Sequence, residues 1–248
     1  MISKNQIKYV RQLEQKKFRR QEGLFVAEGT KVVGDLLAAG FKPTQLFATL
    51  DWITGHPEAV ATEVTPEELR RLSFQQHPQQ TIALFPIPTP STIHSSLLTS
   101  SLSLALDGIQ DPGNLGTIIR IADWFGISTI YCSPDTVDAW NPKVVQATMG
   151  SLARVNIVYT ELPALLDSLT ADFPVYGTLL DGENIYTQQL TSHGLIIMGN
   201  EGNGISETVR QRVNRRLLIP DFHQGDTADS LNVAIATAIT CSEFRRRL

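Results

Sequence analysis

Short apolar runs alternate with amphipathic helical patterns over the second half of the chain. Nearly continuous apolar strands separated by helices are typical of an α/β fold with a mostly parallel sheet covered by helices on both faces. In such sheets ligands bind beyond the carboxyl ends of the strands. The pattern predicts strands at Leu102–Leu106, Thr129–Cys132, Val155–Val158, Val175–Leu179, Leu195–Met198 and Arg216–Ile219, and helices at Leu115–Trp124, Pro142–Ser151, Leu162–Ser168, Ser206–Val213 and Ser230–Arg246.

The first part of the chain carries a smaller α/β pattern. Thr65, followed by Pro66 and Glu68, has the spacing of a capping box at a helix start. The other predicted elements are a helix over residues 3–20, a helix from Glu28 to Ala39, and strands at Leu24–Val26, Gln45–Thr49 and Thr81–Phe85. A proline- and serine-rich stretch follows, which is typical of an interdomain connection. We therefore predict a domain at 1–90, a linker at 91–101 and a second domain at 102–248.

The charge is distributed unevenly. The 248 residues carry a net charge of -4, which taken alone argues against a nucleic-acid partner. Residues 1–20, however, hold seven cations against one anion. A basic helix on an acidic body is either a solvated surface helix or an arm that contacts RNA phosphates. The candidate RNA-binding residues are Lys4, Lys8, Arg11, Lys16, Lys17, Arg19 and Arg20.

Composition excludes several other classes of protein. Hydrophobic residues make up 42% of the chain, so a large core forms and wholesale disorder is excluded. No apolar run reaches the length of a membrane span, and no secretory signal is present. The two cysteines, Cys132 and Cys241, and the scattered histidines lack the spacing of metal ligands. We expect a cytoplasmic protein with no metal and no membrane partner.

Three polar loops follow predicted strands and open predicted helices. In the first, Asn114 is placed to cap a helix that also carries Arg120. The second is the glycine-rich turn Gly199–Gly204, and in the third Ser230 is a candidate N-cap. The glycines of the turn are ordered G-x-x-G-x-G, which disfavours the dinucleotide site of an oxidoreductase, and Glu201 would repel a pyrophosphate.

The three loops together resemble the signature motifs of the SpoU (TrmH-like) branch of the SPOUT RNA methyltransferases. The matching segments are NLGTIIRIAD, IIMGNEGNGIS and LLIP followed by SLNVAIATAI. Residues 4–40 resemble the substrate-binding module of that family, which is related to the ribosomal L30e fold. The resemblance implies a C-terminal trefoil knot, a bound S-adenosylmethionine and methyl transfer to a ribose 2′-hydroxyl of RNA. The loop after Pro220 is about three residues longer than that pattern.

The resemblance also assigns roles to residues. The active-site positions are Asn114, Arg120, Glu201, Ser230 and Asn232. The cofactor-binding positions are Thr178, Leu179, Gly199, Asn200, Gly202, Ile219 and Leu231. The pKa of an arginine guanidinium is above about 12, so it stays protonated at neutral pH and does not act as a base. We therefore expect Arg120 to donate hydrogen bonds to an RNA phosphate and to the alkoxide that develops on the ribose.

The resemblance implies a homodimer packed through the knotted domain, and the small residues Ala234, Ala236 and Ala238 suit an interface. Ribosomal and transfer RNA are both open as substrates. The alternatives are a catalytically inactive RNA-binding protein that retains the fold and, with less support, a nucleotide-dependent oxidoreductase.

Overall fold

The computed structural model describes residues 2–89, 101–223 and 229–246, which form two compact units. The first unit comprises Met1–Thr89 and Asp138–Arg154, and the second comprises Pro90–Val137 and Val155–Leu248. Except for Ser101, the predicted linker 91–101 lies outside the described residues. The domain boundaries and the trefoil knot stay predictions.

The first unit is built on a mixed four-stranded sheet in the order β1-β4-β2-β3, in which β4 runs antiparallel to β1 and to β2, while β2 and β3 are parallel. Thr65 caps α5 in the predicted capping box with Glu68. In chain order its first nine elements are α1 (Lys4–Gln12), α2 (Lys16–Glu22), β1 (Leu24–Glu28), α3 (Thr30–Ala38), β2 (Gln45–Ala48), α4 (Leu50–Gly55), β3 (Thr62–Glu63), α5 (Pro66–Leu72) and β4 (Thr81–Pro86).

The sequence predicts a single helix over residues 3–20. This prediction is wrong, because the segment forms the two helices α1 and α2. Leu13 is fully buried between them. The guanidinium of Arg19 donates to the carbonyl oxygens of Leu13 and Glu14, at 2.8 and 2.6 Å. These bonds satisfy carbonyl groups that a helix end leaves without partners, which is why the chain can turn here. The sequence pattern also missed α4 and β3, which are six and two residues long.

The segment Asp138–Arg154 groups with the first unit, although it lies within the residues assigned from the sequence to the second domain. It contains a short helix at Pro142–Ala147 and a 3₁₀ turn at Ser151–Ala153. The ring of Trp140 packs against Phe25 of β1, with 4.8 Å between ring centroids.

The second unit contains a six-stranded sheet in the order β10-β8-β9-β5-β6-β7, and every strand pair in it is parallel. All six strands were predicted, and the α/β class with a parallel sheet is confirmed. Its elements are β5 (Leu102–Asp107), α6 (Pro112–Trp124), β6 (Thr129–Cys132), β7 (Asn156–Tyr159), α7 (Leu162–Asp167), β8 (Val175–Asn184), β9 (Gly194–Gly199), α8 (Glu207–Arg210), β10 (Arg215–Leu218) and α9 (Val233–Arg246).

Helices α6 and α9 pack against each other, and α9 buries the face that carries Thr237, Cys241 and Phe244. No helix among the described residues is both long and apolar enough to cross a membrane. Over the same ranges, no cluster of three His, Cys, Asp or Glu side chains is arranged to hold a metal ion.

Candidate active site

An irregularity in strand β8 opens a cavity at one edge of the second sheet. Strand β10 pairs with β8 up to Gly177, and the pairing resumes only at Glu183. The residues between them leave the ladder, as in a β-bulge, and Thr178 to Asp181 line a cavity of about 510 Å³. The sequence predicted a strand ending at Leu179, so the bulge and the later pairing were missed.

Every residue that the resemblance assigned to cofactor binding lines this cavity. Its lining includes Thr178, Leu179, Gly199, Asn200, Gly202, Ile219 and Leu231. It also includes Met198, Leu180, Arg210 and Val233, which the sequence analysis did not select. Arg210 contacts Asp181 at 2.5 Å, so an ion pair forms part of the wall. The sequence places Arg210 among four arginines between residues 210 and 216, and nothing in it indicates which of the four lines the cavity.

The glycine-rich turn is held in shape by Asn200. Its backbone exchanges two hydrogen bonds of 2.9 Å with Gly204. Its side-chain oxygen accepts from the amides of Gly202 and Asn203, and its side-chain nitrogen donates to the carbonyl of Gly108 at 2.6 Å. Asn200 therefore closes its own turn and ties that turn to the loop after β5.

Gly199 lies where the two sides of this turn come closest. A Cβ atom built on Gly199 would lie 2.3 Å from the carbonyl carbon of Gly204 and 2.4 Å from the amide nitrogen of Ile205. Both neighbours are backbone atoms, so no side-chain rotation relieves the clash. The turn requires glycine at this position because of close approach.

Three of the predicted active-site residues form one hydrogen-bonded chain that joins the three motifs. Asn232 donates from its side-chain nitrogen to the side-chain oxygen of Asn114 at 2.9 Å. Asn114 in turn donates to Oε1 of Glu201 at 3.0 Å. These bonds fix the orientation of the Asn114 amide, and they leave Oε2 of Glu201 without a hydrogen-bond partner among the described residues.

Two predicted helix caps are wrong. Asp111, rather than Asn114, caps α6, because its side chain accepts from the amide of Asn114 at 2.7 Å. Helix α9 starts at Val233 instead of Ser230, and Asn232 accepts from the amide of Ala234 at 2.9 Å. In each case a neighbouring Asx residue competes successfully for the cap. Asn114 is thereby left for the chain to Glu201, and exposed Ser230 lines the cavity.

Arg120 stands apart from the other predicted active-site residues. It lies on α6, is exposed and does not line the cavity. No hydrogen bond or ion pair joins it to any residue that the structure describes. By contrast, most other arginines of the second unit are bound to acceptors, namely Arg210 and Arg216 to Asp181, Arg212 to Asp167, Arg245 to the carbonyls of Phe125 and Gly126, and Arg246 to Glu243.

The predicted RNA-binding residues divide into an exposed set and an engaged pair. Arg19 is 1% exposed and forms an ion pair with Asp138 at 2.6 Å. It is therefore unavailable to a phosphate, which corrects its assignment as an RNA contact. Arg11 donates to the carbonyl of Ser73, and its guanidinium lies 4.9 Å from the ring centroid of Phe74. The exposed set comprises Lys4, Lys8, Lys16, Lys17 and Arg20.

The engaged Arg11 borders a buried carboxylate. Glu28 is 5% exposed and accepts from the hydroxyl of Ser73 and from the amide of Phe74. Burial raises the pKa of Glu28, although both hydrogen bonds and the charge of Arg11 oppose this rise.

In the second unit, both thiols are free, and burial raises the pKa of Cys241 to about 12 and that of Cys132 further. Neither cysteine is an activated nucleophile.

Both halves of the chain match families of known proteins. Residues 101–242 match the SpoU rRNA methylase family, and residues 4–83 match the MRM3-like substrate binding domain. The chain is 32% identical over 251 residues to the 23S rRNA (guanosine(2553)-2′-O)-methyltransferase RlmP of Bacillus subtilis, covering 98% of this chain and 97% of that protein.

Several solved structures match over the full chain. A structure from Porphyromonas gingivalis, described as of the TrmH family, superposes with a TM-score of 0.90 at 39% identity, covering 100% of both chains. The AdoMet-bound rRNA methyltransferase from Sinorhizobium meliloti superposes with a TM-score of 0.85 at 30% identity, covering 100% of this chain and 97% of the other. The chain belongs to the SpoU rRNA methylase family.

Proposed function

We propose that this protein transfers a methyl group from S-adenosylmethionine to a ribose 2′-hydroxyl of ribosomal RNA. The observation that carries this proposal is the hydrogen-bonded chain of Asn232, Asn114 and Glu201 beside a cavity lined by all the predicted cofactor residues. An inactive RNA-binding protein has no need to keep these three side chains in one arrangement. The choice of ribosomal over transfer RNA rests on the name of the RlmP relative, which specifies 23S rRNA.

The size of the cavity and the residues that line it fit S-adenosylmethionine. Its volume of about 510 Å³ lies within the range of roughly 300–1,000 Å³ for small-molecule sites. Apolar groups from Leu179, Met198 and Ile219 suit the adenine ring, and backbone groups of the Gly199–Gly204 turn suit its polar edge. Gly199 keeps the turn closed because any side chain there would separate its two sides.

When bound, S-adenosylmethionine supplies a methyl group on a sulfonium, and the attacking ribose oxygen must approach it in line. The main contribution of the protein is then to position the 2′-oxygen. Oε2 of Glu201 is free to accept the hydrogen of that hydroxyl, while Oε1 is held by Asn114. Asn232 holds Asn114 in turn, so all three motifs determine where the acceptor lies.

Arg120 has a different task in this proposal. Its exposure, and its position outside the cavity lining, direct its guanidinium toward RNA rather than toward the cofactor. A guanidinium donates hydrogen bonds but does not accept a proton. Arg120 therefore holds the adjacent phosphate and stabilises the negative charge that develops on the 2′-oxygen.

The test is mass-spectrometric mapping of ribose methylation in total RNA from cells with and without this protein. We expect one 2′-O-methyl group in ribosomal RNA to be lost, and the purified protein to restore it when S-adenosylmethionine is added. Calorimetry is expected to give micromolar-range binding of the cofactor, about -8 kcal/mol. A folded protein that binds neither the cofactor nor its demethylated product would contradict the proposal.

The exposed cations on α1 and α2 are proposed to contact RNA phosphates. Lys4, Lys8, Lys16, Lys17 and Arg20 have no ion-pair partner among the described residues, and they lie within the residues that match a substrate binding domain. Unpaired surface cations attract a polyanion and release its counterions. We also propose that the reaction takes place in the cytoplasm, a reducing compartment that suits two free thiols.

A homodimer through the second unit is also part of this proposal. Leu231, two residues before α9, and Ile235, in its first turn, are 51% and 53% exposed, and such apolar surface favours a self-complementary contact. Ala234 is buried within the chain and Ala236 lines the cavity, so neither is a suitable probe of the interface.

Ile235→Lys is the better probe, since Ile235 is outside the cavity lining. Light scattering should show a dimer for the unaltered protein and a monomer for this variant, with cofactor binding retained. A monomeric unaltered protein that methylates RNA at the full rate would contradict the dimer.

A further inference from the structure

A second cavity, of about 610 Å³, lies in the first unit, and none of its lining residues was assigned from the sequence to catalysis, cofactor binding or RNA binding. It is formed where β1 and β2 end and where β4 begins. The amide of Gly29 donates to the carbonyl of Thr81, and the amide of Thr49 donates to that of Gln80, at 2.9 and 3.0 Å. Thr49 and Gln80 line the cavity. We call it the amide-lined cavity.

One residue that lines the cavity has a buried polar group without a partner. The hydroxyl of Thr49 is buried and has no hydrogen-bond partner among the described residues. The hydroxyl of Thr81, the residue that follows Gln80 in the chain, is also buried without a partner among them. Buried polar groups without partners are few in folded proteins and call for an explanation.

The rim of the cavity is rich in neutral donors and acceptors. Gln76, His77, Gln79 and Gln80 come from one loop, all are exposed, and all line the cavity. Each glutamine amide has two donor hydrogens and a carbonyl acceptor, the same groups that nucleobases present along their edges. None of the side chains of the three glutamines hydrogen-bonds to a residue that the structure describes.

The charges of the lining exclude a polyphosphate and favour a base. The lining includes one carboxylate, Asp51, and one guanidinium, Arg70, so no cluster of cations awaits several phosphates. Exposed Arg71, which follows Arg70 at the end of α5 and does not line the cavity, offers a place for the backbone of a bound strand outside it. Unpaired bases of RNA are commonly splayed out of the strand and hydrogen-bonded along their edges by proteins.

We propose that the amide-lined cavity binds one unpaired nucleobase of the RNA substrate, and that this base carries an exocyclic amino group. The preference follows from Asp51, because an ionised carboxylate only accepts hydrogen bonds. Guanine, adenine and cytosine have an amino group with two hydrogens to donate, whereas uracil has no amino group and offers only its single ring N–H between two carbonyl acceptors. The proposal rests on the proposed function for its ligand, since the RNA that is bound is the RNA that is methylated.

The test compares two single-stranded RNA oligonucleotides, eight cytidines and eight uridines, by fluorescence anisotropy at a fixed salt concentration. The unaltered full-length protein is expected to bind the cytidine strand about tenfold more tightly, as one or two additional hydrogen bonds would give. Gln79→Ala with Gln80→Ala, and separately Asp51→Asn, should bring cytidine binding close to uridine binding. Gln189→Ala, an exposed glutamine of the second unit, should retain the preference.

Equal binding of the two strands by the unaltered protein would overturn the proposal, and so would variants that keep its preference. Thr49→Val, which replaces the buried hydroxyl by a methyl group, should lower cytidine affinity while S-adenosylmethionine affinity stays unchanged. Methylation of ribosomal RNA by the unaltered protein is measured alongside. If it occurs without cytidine preference, only this inference fails; if it is absent while the preference is found, the proposed function fails.

Discussion

The two units of this protein use their charges in opposite ways. The first unit carries thirteen lysines and arginines against ten carboxylates, whereas the second carries eight against fifteen. In the first unit the exposed lysines of α1 and α2 have no ion-pair partners among the described residues. In the second, five of the seven described arginines are bound to carboxylates or carbonyl groups. In the proposed function, attraction of RNA and positioning of its ribose are therefore separate tasks of separate units.

This difference explains how an acidic protein can act on a polyanion. Long-range attraction needs cations that remain free, because an ion pair cancels most of the field of its cation. In the proposed reaction the second unit needs instead a fixed acceptor and a cation that no other residue of the protein has neutralised. Glu201, bound on one oxygen, and Arg120, bound by no described residue, meet these needs.

The largest expected effect is at Arg120. Arg120→Ala should lower kcat for methylation by about 10²–10³-fold, because one donor to the developing negative charge is lost. Binding of S-adenosylmethionine, measured by calorimetry, should be unchanged, since Arg120 does not line the cavity.

The matched control is Arg215→Ala, which removes the other exposed arginine of the second unit that lacks a partner among the described residues. If the two variants lose activity equally, the effect is one of general charge, and the division of tasks between the units is wrong.

Replacement of a glycine by alanine should have opposite effects in the two units. Gly199→Ala places a Cβ against the backbone of Gly204, so we expect cofactor affinity to fall by about 100-fold through displacement of the turn. Gly34→Ala, in helix α3, meets no atom within 4 Å and should stabilise the protein by about 0.5–1 kcal/mol. Calorimetry and thermal unfolding measure the two effects. Normal cofactor binding by Gly199→Ala would show that the turn has room to open.

Arg19 should behave as part of the core. Arg19→Ala leaves Asp138 unpaired and the carbonyls of Leu13 and Glu14 without their donor. We expect unfolding free energy to fall by about 3 kcal/mol, the lower end for breaking a buried ion pair. The control is Arg20→Ala on the same helix, whose exposed side chain should change stability by less than about 0.5 kcal/mol. Urea unfolding distinguishes the two, and equal midpoints would contradict the structural role of Arg19.

Arg19 also illustrates what the sequence was able to predict. The parallel sheet could be predicted because each strand is a short apolar run with a helix after it, and this signal is local. Burial of one arginine within a basic segment depends on Asp138, which is 119 residues away in the chain. Nothing local distinguishes Arg19 from Arg20, so the segment was treated as a uniform charged surface.

The candidate site shows the same limit at shorter range. The three loops could be located because polar residues follow strands, but the caps of α6 and α9 could not be assigned. Asp111 and Asn114, or Ser230 and Asn232, are equally good caps by residue type. Backbone geometry decides between them, and it frees Asn114 to join Asn232 to Glu201. The irregularity in β8 was missed because Leu179 and Leu180 continue the apolar pattern of the strand, whereas Asp181 and Gly182 are typical of a strand end.

The smallest effect per residue is expected in the exposed set of the first unit. Lys4, Lys8, Lys16 and Lys17 changed together to glutamine should lower the salt dependence of RNA binding, by about 0.7–0.9 log–log unit for each phosphate contact removed. Substitution is preferable to deletion of the segment, because Val10 and Leu13 are fully buried and their loss would unfold the unit. Lys42→Gln, at an exposed lysine outside α1 and α2, is the control and should leave the slope unchanged. RNA affinity is measured between 50 and 200 mM salt, a range over which phosphate contacts weaken strongly. If the fourfold variant and the control share one slope, the lysines of α1 and α2 are only a solvated surface, and the phosphates are bound elsewhere.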